Sequence, residues 1–132
     1  MIYGIGTDIV RVARLQAMWE KHGTAALRKL LAPGEIADFT ALGLSEPGNA
    51  QAGRFLAKRF AAKEALAKAL GTGVRPPVLL PNIAICHNEL GKPSFAFCAE
   101  LAPYMQQLGS IAHLSISDEA EFAIAYVILE TP

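Results

Sequence analysis

The sequence predicts an α+β fold in which an antiparallel sheet packs on one long central helix. Three observations carry this. Residues Arg54 to Gly73, RFLAKRFAAKEALAKALGTG, contain no proline and are free of glycine from Phe55 to Leu70. They are rich in strong helix formers, and Gly71 stands where a helix-ending glycine belongs. The opening MIYGIGTDIV and two later hairpin patterns are strongly apolar. The order is strand, helices, long helix, hairpin, helix, hairpin, without internal repeat, low-complexity tract or linker. The 132 residues are therefore expected to form one domain with its own core.

Composition narrows the function classes. Apolar residues make up 52% of the chain, which excludes a disordered protein. Lys and Arg number 12 and Asp and Glu 12, so the bulk charge offers no footprint for nucleic acid or a membrane surface. The first ten residues contain an aspartate and no basic segment, unlike a signal peptide. No apolar run approaches the ~20 residues of a membrane span. Cys86 and Cys98 lie far from any CxxC pattern and read as the reduced, packed thiols of a cytoplasmic protein. Together with three scattered histidines they make no zinc site.

Along the chain, Ile2–Val10 reads as a strand with Ile2, Gly4, Gly6, Asp8 and Val10 on one face. Its glycines leave that face open to another backbone or a ligand. Asp8 is either a helix cap, a strand-end charge, or a carboxylate needing a metal, a cation or backbone donors. Residues 11–22 read as a helix whose Val12, Leu15 and Trp19 point inward. Arg11, Arg14, Met18 and Lys21 form a basic stripe, either a wet face or a dock for an acidic partner. A short helix with Leu27, Leu30 and Leu31 follows, and Pro33 opens another through Phe39 with Glu35 in its first turn.

The long helix begins near Ala50. Phe55, Ala62, Leu66, Ala69 and Leu70 form its apolar sector, yet Arg59 and Lys63 fall inside that sector. Glu64 and Lys68 lie opposite, spaced for an ordinary surface ion pair. The sharper alternative is a helix that presents cations and one carboxylate to an anionic ligand and its metal. VRPPVLLP is expected to be extended. Ile83–His87 and Ser94–Cys98 flank the NELGKP turn, Glu100–Leu108 is helical, and His113–Ser117 pairs with Phe122–Leu129. AIAYVIL is nearly all apolar and belongs at the centre of the sheet. Sheet edges and surplus apolar surface point to an oligomer.

Three stretches share a resemblance. GIGTDIVRVARL, FLAKRFAAKEALAKALGTG and GKP are similar to the holo-acyl-carrier-protein synthases, the small single-unit 4′-phosphopantetheinyl transferases. The resemblance runs from Met1 to Glu130. It implies a homotrimer with active sites between subunits, Mg²⁺, coenzyme A as donor and apo-acyl carrier protein as acceptor. The family's metal-ligating acids fall on Asp8 and Glu64, and its active-site lysine on Lys68. Arg59 and Lys63 match the motif and are expected at phosphates, as are Gly71 and Gly73 through exposed backbone N–H groups. Lys92 and Pro93 match the turn that approaches the nucleotide. Arg11, Arg14, Met18 and Lys21 correspond to the surface that docks the carrier.

Two departures stand out. Many members have His where this chain has Asp118, and Ser or Thr at a helix start that here reads Ala32–Pro33–Gly34. Neither touches the acid pair. The expected reaction is Mg²⁺-dependent transfer of 4′-phosphopantetheine to a carrier serine for fatty acid biosynthesis, with 3′,5′-ADP as leaving group. Lys68 would stabilise or protonate the leaving group. Glu64, a metal-held water organised with Glu35, and a substrate group all stand as candidate bases. The rival readings are an inactive coenzyme A-binding or carrier-binding module of the same fold, and a structural trimer.

Overall fold

The computed structural model describes residues Met1–Pro132. Strand β1 (Ile2–Arg11) leads into helices α1 (Val12–His22), α2 (Thr24–Leu30) and α3 (Pro33–Ala41). Helix α4 (Ala52–Leu70) follows, then β2 (Ile83–His87), β3 (Pro93–Phe97), α5 (Leu101–Leu108), β4 (Ile111–Asp118) and β5 (Phe122–Glu130). The fold is α+β with antiparallel pairing throughout.

The strands form two sheets rather than one. β5 lies between β1 and β4 in a three-stranded sheet, and β2 and β3 make a separate hairpin. The apolar run AIAYVIL thus occupies the central strand, where both edges need partners. The proline-rich crossing is not wholly extended, since Leu80–Asn82 forms a 3₁₀ turn.

Helix α4 lies across the inner face of the larger sheet. That face carries Gly4, Gly6, Asp8 and Val10 of β1 and Ala123, Ala125, Val127 and Leu129 of β5, with Gly6 opposite Val127 and Asp8 opposite Ala125. The helix answers with Ala61, Ala62, Ala65 and Ala69, all buried. Helix and strand backbones touch: a β-carbon on Gly6 would overlap the Ala65 carbonyl oxygen, and one on Gly4 that of Ala69. Small residues on both sides are the reason so close an approach is sterically allowed. Trp19, Phe39 and Phe55, edge to face at 5.1 and 5.4 Å between ring centroids, tie α1, α3 and α4 together.

The outer face of the sheet is apolar and uncovered. Tyr3, Ile5, Ile9, Tyr126 and Ile128 are exposed on it, with Ile5 directly opposite Ile128. Cys86 is exposed, so it is not a packed thiol, while Cys98 is half-buried; both are free. His87 pairs with Pro93 at the end of the hairpin, so β3 starts one residue earlier than its apolar pattern indicates.

Gly6→Ala is expected to destabilise the fold by at least ~1–3 kcal/mol, the cost of overpacking a tight contact. Gly34→Ala, where a β-carbon meets nothing within 4 Å, is the control. Urea unfolding of the two variants beside the parent checks this.

Candidate active site

Asp8 sits on the inner face of β1 just beyond the two glycines, so the closeness of α4 places it against that helix. Side chains on a helix lean toward its N-terminus, which brings Lys68 and Glu64 back to the level of Asp8. Lys68 Nζ donates to Asp8 Oδ1 at 3.1 Å and to the Thr7 carbonyl at 2.9 Å. The spacing of Glu64 and Lys68 therefore does not signal their own ion pair; the lysine reaches across to the strand. Asp8 is largely sheltered, its side chain 17% exposed, whereas that of Lys68 is 54% exposed.

Glu64 completes the cluster. Burial pushes its carboxyl above the ordinary 4.5, Asp8 adds to the rise, and Lys68 and Arg14 oppose it. Glu64 also lines an apolar trough of about 530 Å³ with Arg14, Met18, Ala26, Phe60 and Leu80. The Arg14 guanidinium stacks on Phe60 at 5.3 Å. Two members of the basic stripe are thus continuous with the acid pair. Arg11 is not: it ends β1, and its guanidinium lies 5.0 Å over Phe122. Lys21 is exposed and outside the trough. His22 and Lys29 also line the trough, and neither belongs to the stripe that the sequence marks.

The two cations inside the apolar sector have different fates. Lys63 is fully buried, and its three donors are all used: 2.6 Å to Glu35 Oε1, 2.7 Å to the Leu30 carbonyl and 3.0 Å to the Leu80 carbonyl. The expectation that Lys63 binds a phosphate is therefore corrected; its charge is satisfied in the interior. Glu35 is equally closed off. It accepts from Ala32 N–H at 3.0 Å, Ile85 N–H at 3.0 Å and Lys63, with Arg59 Nε at 3.4 Å. It cannot organise a water at Asp8 and Glu64, so that candidate for the base falls away. The bond from the Ala32 amide to this carboxylate is the half of a capping box that needs no Ser or Thr, while the Glu35 N–H donates to the Ala32 carbonyl at 3.0 Å.

Gly71 and Gly73 both have positive φ, but their N–H groups are not free for phosphate. Gly71 donates to Ala67 and Lys68 carbonyls at 3.1 Å and Gly73 to Ala67 at 3.4 Å, which ends α4. That part of the expectation is also corrected. Arg59 faces a second, smaller cavity together with Pro93, away from the acid pair. Lys92 has its N–H on Asn88 Oδ1 at 2.9 Å, and its side chain is exposed. Asp118 is held by Arg54 at 2.9 and 3.2 Å, and His113 by Glu130 at 2.7 Å, so His113 does not stand in for the histidine missing at position 118.

Comparison with known proteins places this geometry. The family model described as the 4′-phosphopantetheinyl transferase superfamily matches residues 4–127. The chain belongs to that superfamily. It is 62% identical over 130 residues to the holo-[acyl-carrier-protein] synthase of Dechloromonas aromatica, covering 98% of each. The crystal structure of holo-[acyl-carrier-protein] synthase from Neisseria meningitidis is 43% identical, covers 99% of this chain and 100% of that one, and superposes with a TM-score of 0.87. The Bacillus anthracis holo-(acyl-carrier-protein) synthase, in complex with CoA (3′,5′-ADP), is 36% identical, covers 100% of this chain and 99% of that one, and has a TM-score of 0.79.

The acid pair fits the Mg²⁺ that the family implies. No group of three or more His, Cys, Asp or Glu side chains is gathered anywhere in the chain. Two hard carboxylates without a third protein ligand leave coordination to phosphate oxygens and water, which is how Mg²⁺ is commonly held beside a phosphate substrate. Burial is the main cause of the raised Glu64 carboxyl, and the nearby Asp8 charge adds to it.

The Glu64 shift makes a pH-dependent prediction. A carboxyl raised in the fold stabilises the protein at low pH and loses that contribution as pH climbs from 4.5 through the raised value. Glu64→Gln removes the loss. In metal-free buffer its melting temperature should gain on the parent as pH climbs above 4.5 and hold the gain once the parent's Glu64 is ionised. Parallel melting curves across that range check it; a constant offset would contradict it.

Proposed function

We propose that this chain transfers the 4′-phosphopantetheine group of coenzyme A to a serine of apo-acyl carrier protein, giving the holo-carrier and adenosine 3′,5′-bisphosphate. One observation carries the reading: the trough that holds Arg14 and Met18 ends on Glu64, whose neighbours are Asp8 and Lys68. A surface suited to an acidic partner thus runs directly into a carboxylate pair suited to a metal phosphate. The 62% identity to a holo-[acyl-carrier-protein] synthase supports it.

Asp8 and Glu64 would hold Mg²⁺, which would offset the charge of the coenzyme A pyrophosphate. The serine oxygen bonds to the phosphorus attached to pantetheine, and that phosphorus loses its bond to the bridging oxygen. The electron pair leaves with 3′,5′-ADP. Lys68, half-exposed beside Asp8, neutralises or protonates this leaving group. With Glu35 sealed in the interior, Glu64 is the chain's carboxylate placed at the trough to receive the serine proton. Arg14 and Met18 orient the carrier, and the Lys92–Pro93 turn lies at the nucleotide. The uncovered sheet face of Tyr3, Ile5, Ile9, Tyr126 and Ile128 is the surface on which three copies associate. The whole chain acts as one domain, in the cytoplasm, in fatty acid biosynthesis. An inactive coenzyme A-binding module of the same fold would not need Asp8, Glu64 and Lys68 together.

Mass spectrometry of apo-carrier incubated with coenzyme A and Mg²⁺ tests this. Wild type should add one phosphopantetheine, and Asp8→Ala and Glu64→Ala should add none while folding normally. Lys68→Ala should lower kcat by roughly 10²-fold or more. Its KM for carrier should stay unchanged, and Lys68→Arg should recover little because a guanidinium does not give up its proton. Near-normal transfer by either acid variant would overturn the assignment.

A further inference from the structure

Helices α1 and α4 cross at a point where a single hydrogen bond joins them. Gly53 stands in the first turn of α4, and its N–H donates to Gln16 Oε1 of α1 at 2.6 Å. The two chains are close there. A β-carbon on Gly53 would lie 2.8 Å from the Gln16 β-carbon and 3.1 Å from the Val12 carbonyl oxygen. The first N–H groups of a helix have no partner within it, and Gly53 is buried, so Gln16 is what satisfies this one. Gln51, at the helix start, makes no capping bond with its side chain. The Gln16 amide is itself oriented, since its Nε2 donates to Glu20 Oε1 at 3.0 Å one turn on.

That bond sits on the far side of α1 from the proposed carrier dock. Arg14 and Met18 lie about 40° apart around the helix, and Gln16 is about 160–200° from both. The rest of the crossing side is apolar: Val12 and Leu15 are buried, and Trp19 packs on Phe39. Apolar contacts have no preferred direction and leave a helix free to roll. A hydrogen bond is directional and weakens steeply with angle. The start of α1 is pinned by the Val12 N–H, which donates to the Glu121 carbonyl in the β4–β5 turn at 2.9 Å. One anchor at an end fixes the place of a helix but not its roll; Gln16, one turn further on, fixes both. A roll of about 10° would carry a side-chain tip, about 5–6 Å from the axis, through about 1 Å.

We propose that Gln16 is a positioning residue of the transfer reaction, whose bond to Gly53 sets the roll of α1 and so places the serine of a docked carrier at Glu64. This rests on the transferase reading above. Arg14 and Met18 ride on α1, whereas Glu64 belongs to α4, so the path from the dock to the acid pair runs through the joint between the two helices. Misplacing a reacting group by about 1 Å can cost about 10²-fold in rate. Loss of the bond leaves Arg14 and Met18 in place on their helix and able to dock the carrier. It therefore acts on turnover and not on affinity.

Single-turnover transfer with Mg²⁺ at saturating carrier and coenzyme A, measured beside KM for both substrates and the melting temperature, tests this. Gln16→Met keeps the length of the side chain and removes the acceptor; Gln16→Asn keeps the amide and shortens its reach. Each should lower the transfer rate roughly tenfold or more and leave both KM values within about twofold. Exchanging the two side chains, as Gln16→Glu together with Glu20→Gln, keeps an acceptor for Gly53 and the bond within the pair, and should restore the rate. Val12→Ala thins the same crossing without touching its hydrogen bonds, so it should lower the melting temperature and keep the parental rate. A parental rate in a folded Gln16→Met or Gln16→Asn overturns the proposal. So does a rate loss in Val12→Ala equal to theirs, or an exchanged variant that stays slow. If neither single variant folds, Gln16 is structural and the proposal falls. Each of these results with wild-type transfer intact overturns the positioning role alone. A wild type that adds no phosphopantetheine overturns the transferase reading.

Discussion

The close contact of α4 with β1 is the constraint on which the rest depends. Two glycines on the strand meet alanines on the helix, and backbone touches backbone. Larger side chains at either place would lift the helix from the sheet. Asp8 would then lose its neighbours on α4, Lys68 would no longer reach the Thr7 carbonyl, and the Glu64 carboxyl would no longer sense Asp8. Packing of small residues thus sets the spacing of the charged groups. A site made of one strand acid and one helix acid needs this kind of rigid registration, since neither side chain is fixed by its own element alone.

The buried network on the other side of α4 serves the same end. Lys63 binds the end of α2 through Leu30, the start of α3 through Glu35, and the 3₁₀ turn through Leu80. Glu35 extends the link to β2 through Ile85. Four chain segments without regular pairing to one another are tied to one helix by two charged residues. Fully satisfied networks of this kind fix a single arrangement, whereas removal of one partner leaves a buried charge exposed to nothing. The same network leaves Arg59 only partly neutralised, so its charge is turned toward the second cavity.

Much of this was legible in the sequence where the signal is local. The bare glycine face of the first strand, the glycine that ends the long helix and the apolar central strand follow from periodicity and backbone preference, and the structure has each of them. The presence of Arg59 and Lys63 inside an apolar sector was a correct sign of something unusual. The meaning of Lys63 was not, because its partners lie 17 to 33 residues away in sequence. The same holds for Lys68, whose partner is 60 residues distant rather than one turn back. The division into two sheets also escaped notice, since a short apolar hairpin looks the same whether or not it joins a larger sheet. Gly71 and Gly73 show a different failure: the helix end itself uses the N–H groups that a phosphate would need.

The central claim is that Asp8 and Glu64, brought together by this packing, form one metal site that serves coenzyme A. Calorimetric titration of coenzyme A into wild type, Asp8→Asn and Glu64→Gln, each with and without Mg²⁺, tests it most directly. The account predicts that Mg²⁺ tightens binding in wild type and that either substitution removes the Mg²⁺ effect while metal-free affinity stays close to wild type. Binding that ignores Mg²⁺ in wild type, or an undiminished Mg²⁺ effect in both variants, would contradict it.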